Sequence, residues 1–168
     1  MVSDNRVVIV FFSKDGNTRS GAKRLNERLG GKIIELREQK KGNFLQALFK
    51  KGSELQGNPW GEITDATDVY LMQPIWASNA VPAMNTFLQN ADFSGKQVTI
   101  VTFQQFSDLR NSDKVHQDIA AMVKQRNGQV IGNFAFSGGK IGHCAEEKLI
   151  YDQIDSMVLP AWCLIQNH

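Results

Sequence analysis

Six consecutive residues, Ser13, Lys14, Asp15, Gly16, Asn17 and Thr18, form the part of this 168-residue chain best equipped to hold an anion. Hydroxyls and backbone N–H groups donate to phosphate oxygens, and the Lys14 ammonium adds to the local positive field. The six polar residues follow an unbroken apolar run from Val7 to Phe12, β-branched and aromatic, which predicts a strand buried on both faces. A helical pattern follows, with Ala22, Leu25 and Leu29 on one face. A strand end meeting a helix start leaves N–H groups without intrahelical partners at the positive end of the helix dipole, which favours phosphate. A carboxylate repels a phosphate dianion, so Asp15 is expected to turn its side chain to solvent and keep only its N–H inward.

Two further stretches carry residues that a plain connection does not need. QPIWASNAV, residues 73 to 81, places Trp76 in a loop, where a large aromatic is costly to expose unless something covers it. QQFSDLRNS, residues 104 to 112, carries Phe106 and follows Phe103. A phosphate loop with aromatics on two neighbouring loops suits a planar, phosphorylated ligand. Other motifs fail on spacing. GNTRSGAK, residues 16 to 23, nearly spells a triphosphate-binding loop, but Ala22 separates Gly21 from Lys23 and displaces the lysine; Gly21 itself falls inside the expected helix. SGGKIG, residues 137 to 142, lacks GxGxxG spacing and reads as a flexible loop, with a place at the edge of the site as the lesser alternative. His116, His143 and His168 form no ligand cluster, and His143-Cys144 lacks partners for a nucleophilic triad.

The elements that position these loops alternate along the chain. Strands are expected at Val7 to Phe12, Lys32 to Leu36, Val69 to Met72, Val98 to Phe103 and Val130 to Phe136. Helices are expected from Thr18, and over about Val81 to Asn90, Asp113 to Arg126 and Ala145 to Val158. Pro82 fits a first-turn position, Ser112 or Asp113 an N-cap, and Asn127-Gly128 a C-terminal stop. Val115, Ile119, Met122 and Val123 form the apolar stripe of the third of these helices. Pro160 should end or kink the last helix, leaving Ala161 to His168 as a tail whose Trp162 and Leu164 either pack back or meet a second copy. The pattern predicts a single α/β domain, a three-layer, doubly wound parallel sheet of five strands. In such a sheet ligands bind beyond the carboxyl ends of the strands, where the loops at 13 to 18, 73 to 81 and 104 to 112 emerge.

Composition narrows the classes. A net charge of +2 gives no argument for nucleic acid, and the longest apolar runs are of strand length, so no membrane span or signal peptide is expected. Cys144 and Cys163 match neither CxxC nor a zinc spacing, which predicts reduced thiols in a cytoplasmic protein. The irregular region is Arg37 to Thr67. Its middle predicts a short amphipathic helix packing Phe44, Leu45, Leu48 and Phe49 on the sheet, among Arg37, Lys40, Lys41, Lys50 and Lys51, with Glu38 opposing them. Docking of an acidic partner or a phosphate-bearing cosubstrate is the alternative use of that basic segment.

SKDGNT resembles the hydroxyl-rich phosphate loop of flavodoxin-like proteins, and YLMQPIWASNAVPAMNTFL resembles the PIW-type loop and following helix of bacterial members. The likeness in strand pattern runs from Arg6 to about Val158 and implies the strand order 2-1-3-4-5 with flavin mononucleotide (FMN) as cofactor. It implies that Ser13, Asn17 and Thr18, with the N–H groups of Lys14, Asp15, Gly16, Asn17 and Thr18, hold the phosphate. Pro74, Ile75 and Trp76 would line the ribityl chain and ring, with Trp76 stacked on the isoalloxazine, and Ala77, Ser78 and Asn79 would lie near flavin N5. Phe103, Gln104 and Phe106 would cover the other side or the pyrimidine edge. Asp15 and Ser78 depart from the family, where threonine and glycine are common at these places, and Gln104 and Gln105 stand where glycines are usual. The resemblance implies a redox protein serving a partner protein or NAD(P)H. It is either an electron carrier or an FMN-dependent NAD(P)H oxidoreductase with a quinone-like acceptor; a flavin-free interaction domain is the third alternative.

Overall fold

A computed structural model describes residues 6–104, 110–139 and 145–165, with only the backbone for 110, 111 and 159–165. Five strands, β1 (Val7–Phe11), β2 (Lys32–Glu35), β3 (Asp68–Pro74), β4 (Gln97–Gln104) and β5 (Gln129–Ser137), form one sheet in the order β2-β1-β3-β4-β5. Every pairing is parallel. The helices are α1 (Asn17–Leu29), α2 (Phe44–Leu48), α3 (Pro82–Asn90), α4 (Arg110–Gln125) and α5 (Glu147–Ile165).

Strand alternation sends residues to two cores. On β1, Val8 and Val10 face the side covered by α3 and α4, joining Val69, Leu71, Phe87, Leu88, Val115, Ile119 and Val123. Ile9 and Phe11 face the other side, with Ala22, Leu25, Val101, Phe103, Ile150 and Ile154 beneath α1 and α5. Both faces are buried, which explains why β1 reads as an apolar run instead of an alternating pattern. The β4–β5 register slips between Val98 and Thr99, so Ile131 is the extra residue of a bulge, and its side chain is exposed.

Local signals account for most boundaries. Pro82 occupies the first turn of α3. Beyond α4, Asn127 takes φ 64° and Gly128 N–H donates to Val123 O at 2.9 Å, closing that helix. Three expectations are corrected. Helix α4 already begins at Arg110, so Ser112 and Asp113 sit within its first turn and do not cap it from outside. Helix α5 continues past Pro160 to Ile165, because a helical proline removes one N–H donor without forbidding the following turn. Residues 161 to 165 are therefore helix, not tail.

The third correction concerns α2. Its apolar residues do not pack on the sheet: Phe44, Leu45, Leu48 and Phe49 are exposed, and Ala47 is buried instead. The segment after β2 is tied to the body by polar bonds, which turn the apolar face outward. Among the described residues, no helix is long and apolar enough to cross a membrane.

Candidate functional site

The ladder of β1 runs one residue beyond the strand, where Phe12 N–H donates to Met72 O at 3.1 Å, and the chain then turns at Ser13. Ser13 Oγ accepts the N–H of Gly16 at 3.1 Å, closing a tight loop over Lys14 and Asp15. Gly16, the N-cap of α1, sits at φ 95°, a left-handed conformation that glycine adopts at little cost. No side chain caps this helix and no acid lies in its first turn. Its first backbone bond is Ser20 N–H to Gly16 O at 2.9 Å, so the N–H groups of Asn17, Thr18 and Arg19 stand ahead of the ladder at the loop end. Thr18 is buried, while Lys14 and Asp15 are exposed.

A small, open cleft lies at this point, walled by Ser13, Lys14, Asp15, Asn17 and Thr18 from the loop. Pro74 from β3, Phe103 and Gln104 from β4, and Gly138 after β5 complete the walls. It opens beyond the carboxyl ends of β1, β3 and β4, where the strand order reverses between β1 and β3.

Asn17 does something that its position in the loop did not announce. Its Nδ2 donates to Gly138 O and its Oδ1 accepts the N–H of Ala145 at 2.7 Å. Its side chain is thus spent on joining both ends of the β5–α5 connection to α1, and its backbone N–H is the group left facing the loop. Gly138 N–H donates to Gln104 O at 2.8 Å. A Cβ at Gly138 would stand 3.3 Å from Asn17 Nδ2 and 3.5 Å from Phe103 Cβ. Gly138 is therefore a wall of the cleft; it stands 121 positions from Asn17, a partnership that no local pattern reveals.

The Trp76 loop is built as a tight turn. Trp76 N–H donates to Asn79 O at 3.1 Å and Asn79 N–H to Trp76 O at 2.8 Å, with Ala77 and Ser78 at φ 49° and 57°. Two non-glycine residues in the left-handed region store strain. Asn79 Nδ2 offsets part of it by donating to Ala77 O at 3.0 Å. Trp76 meets Phe12 edge-on, with centroids 5.7 Å apart, and Lys14 Nζ lies 5.1 Å from the Trp76 ring centroid. Lys14 is thus the side chain shared by the cleft and the tryptophan. Ile75 N–H donates to Phe103 O at 3.1 Å, joining this loop to β4. Ile75, Trp76, Ala77, Ser78 and Asn79 stand beside the cleft and not among its walls. Phe106 and the His143-Cys144 pair lie outside the described residues.

Behind the cleft, His116 of α4 and Thr102 of β4 form a buried contact, with Nε2 and Oγ1 2.8 Å apart. Burial pushes His116 below its ordinary value near 6.5, against opposing contributions from Asn133 and Asp113. Among the described residues, no group of three or more His, Cys, Asp and Glu side chains is placed to hold a metal ion.

The donor set fits a phosphate ester: an uncapped helix start, two hydroxyls and a lysine, with a proline and a buried phenylalanine continuing the wall. No protein-family model matches the sequence, and no curated protein matches it. Solved structures do. A candidate flavoprotein from Bacteroides uniformis superposes with a TM-score of 0.68 at 20% identity, covering 90% of this chain and 98% of that one. A flavoprotein in complex with FMN from Lactobacillus acidophilus gives 0.63 at 15% identity, covering 78% and 93%. A WrbA-like flavodoxin from Agrobacterium tumefaciens gives 0.62 at 14% identity, covering 93% and 99%. The chain has the flavodoxin-like fold, with the strand order 2-1-3-4-5.

Proposed function

We propose that this chain binds FMN non-covalently in the cleft at the β1–α1 junction and works as a flavodoxin-like redox protein. The observation that carries the reading is the convergence of an uncapped helix start, Ser13, Thr18 and Lys14 at the point where the strand order reverses. The FMN complex among the structural neighbours supports the choice of cofactor. Bound FMN would supply the electron chemistry, accepting and releasing electrons at its ring system.

The chain's own residues would bind and orient. The N–H groups of Asn17 and Thr18, with the Thr18 hydroxyl, would hold the phosphate, while Ser13 keeps the loop closed through Gly16. Lys14 would balance the phosphate charge. Phe103, Gln104 and Pro74 would form the wall along the remainder of the ligand. For the ring to stack on Trp76, Lys14 must leave the indole face it now covers, which makes that lysine the residue that moves on binding. Two cysteines without a metal or redox spacing support a cytoplasmic setting.

Titration of the purified chain with FMN, read by quenching of flavin fluorescence, tests the reading. Saturable binding at micromolar concentration supports it, and absence of quenching overturns it. Anaerobic addition of NADH or NADPH to the loaded protein then separates roles. Rapid bleaching identifies an NAD(P)H oxidoreductase, whereas reduction only by a partner reductase or dithionite identifies a carrier.

A further inference from the structure

Helix α2 inverts the usual arrangement of an amphipathic segment. The chain is tied to the protein at and beyond the C-terminal end of the helix: Asn79 Nδ2 donates to Leu48 O at 3.5 Å, Asn85 Nδ2 to Lys51 O at 3.1 Å, and Thr86 Oγ1 to Ser53 O at 2.6 Å. A reciprocal cap between Asn43 and Gln46 starts the helix, and Lys51 N–H to Gln46 O at 2.7 Å ends it, with Lys50 at φ 53°. The apolar side chains point the other way. Phe44, Leu45, Leu48 and Phe49 are 61%, 62%, 47% and 67% exposed. Four adjacent large apolar side chains, held outward by a pinned backbone, mark an interaction surface.

Charge selects the occupant. Lys40, Lys41, Lys50 and Lys51 flank this helix in the chain and are all exposed, against Glu38 and Glu54 on the same segment; Arg37 is also exposed but pairs with Glu35 at 3.4 Å beside β2. Glu38 is occupied with Ser53 Oγ at 2.6 Å. Across the gap to α4, Asp118 binds both Lys50 at 2.9 Å and Lys114 at 3.1 Å, so that side adds one charge of each sign. The face as a whole is basic.

We propose that this basic, apolar face docks on an anionic lipid surface. Lysine is depleted in protein–protein interfaces, and the four cations that flank the helix are all lysines. Phe and Leu flanked by lysines match interfacial membrane binding: the apolar side chains enter the acyl boundary, and the ammonium groups stay with the headgroups on their flexible stems. Pairing with a second copy through a two-fold axis would set this positive face against itself. The proposal stands whether or not the cleft holds FMN. Because Leu48 is tied to Asn79 of the Trp76 turn, docking would bring the margin of the cleft to the lipid surface.

Co-sedimentation of the full chain with vesicles tests this, using phosphatidylcholine alone and phosphatidylcholine mixed with phosphatidylglycerol, at low and high salt. Mixed vesicles are expected to bind at least roughly tenfold more tightly than neutral ones, with most of the difference lost at high salt. Phe44→Ser with Phe49→Ser should lower partitioning by about tenfold or more. Lys40→Gln, Lys41→Gln and Lys51→Gln together should remove the preference for anionic lipid. All five positions are exposed, and circular dichroism checks that the variants remain folded. Equal binding to both vesicle types, or no loss in the phenylalanine variant, overturns the proposal. So does a dimer in sedimentation velocity that Phe49→Ser dissociates while vesicles are ignored, which assigns the face to self-association. Binding to polyglutamate without binding to vesicles overturns it in favour of an acidic protein.

Discussion

Gly21 gives the sharpest test of how the sheet and α1 shape the cleft. It lies in the first half of α1 and is buried directly over Phe103. A Cβ built there would stand 2.8 Å from Phe103 Cζ and 3.3 Å from Met72 Cε. Contact between carbons is favourable near 3.5 Å, so the ring tip must retreat by about 0.7 Å. Phe103 has little room to give, being 2% exposed and tilted against Phe136 at 5.9 Å between centroids. Two opposing effects set the outcome for Gly21→Ala. Replacing a helical glycine by alanine stabilises by about 1 kcal/mol, whereas overpacking a close-packed core costs about 1–3 kcal/mol. The balance is a loss of about 1 kcal/mol, which for a chain of this size lowers Tm by roughly 2–4 °C. Phe103 is also a wall of the cleft, so FMN affinity should fall by about threefold or more, roughly 0.7 kcal/mol. Urea unfolding and fluorescence titration read the two effects. The double variant Gly21→Ala/Phe103→Leu should recover stability relative to the sum of the single variants, with a coupling of about 1 kcal/mol. A Gly21→Ala protein stabilised by about 1 kcal/mol with unchanged FMN binding would refute the reasoning.

Four other outcomes are expected. Ser78→Gly should stabilise by about 0.5 kcal/mol by relieving the left-handed turn, while Ser78→Val should destabilise by about 1–2 kcal/mol; urea unfolding compares them. Lys14→Met should weaken FMN by about threefold relative to riboflavin, which lacks the phosphate; parallel titrations separate the lost phosphate contact from the freed indole face. His116 has a depressed folded-state value, so the unfolded chain takes up its proton first on acidification. Stability should therefore fall as pH drops below about 6.5, and His116→Gln should flatten that slope between pH 7 and 5 in thermal scans. Asp155 is held well below the usual carboxylate range by hydrogen bonds from Arg24 and Arg28, each of which grips both its oxygens. Its contribution is present above pH 4 and lost as pH falls further, so Asp155→Asn should remove part of the acid sensitivity of the α1–α5 contact in acid unfolding followed by circular dichroism.

The strands were legible because their signal is local: Val7 to Phe11 is buried on both sides, and its composition says so. Gly16 and the start of α1 were legible for the same reason. Helix α2 was not. Its apolar spacing reads as an inward face, but Asn79, Asn85 and Thr86, some 30 residues away, hold the chain at its last residue and just beyond and reverse the outcome. The part played by Gly138 was hidden likewise, since it depends on a bond to Asn17 made across the fold. For the candidate site, residue types located the loop but not how side chains are spent. Asn17 ties two segments together, and Trp76 packs on Phe12 beneath Lys14 instead of lining the cleft.

The double bond made by Asn17 has a consequence for how this scaffold opens. By gripping Gly138 and Ala145, one side chain closes the neck of the β5–α5 connection. With this neck held by one side chain, the exit of β5 and the entry of α5 should open together in native-state hydrogen exchange, and Asn17→Ala should uncouple them.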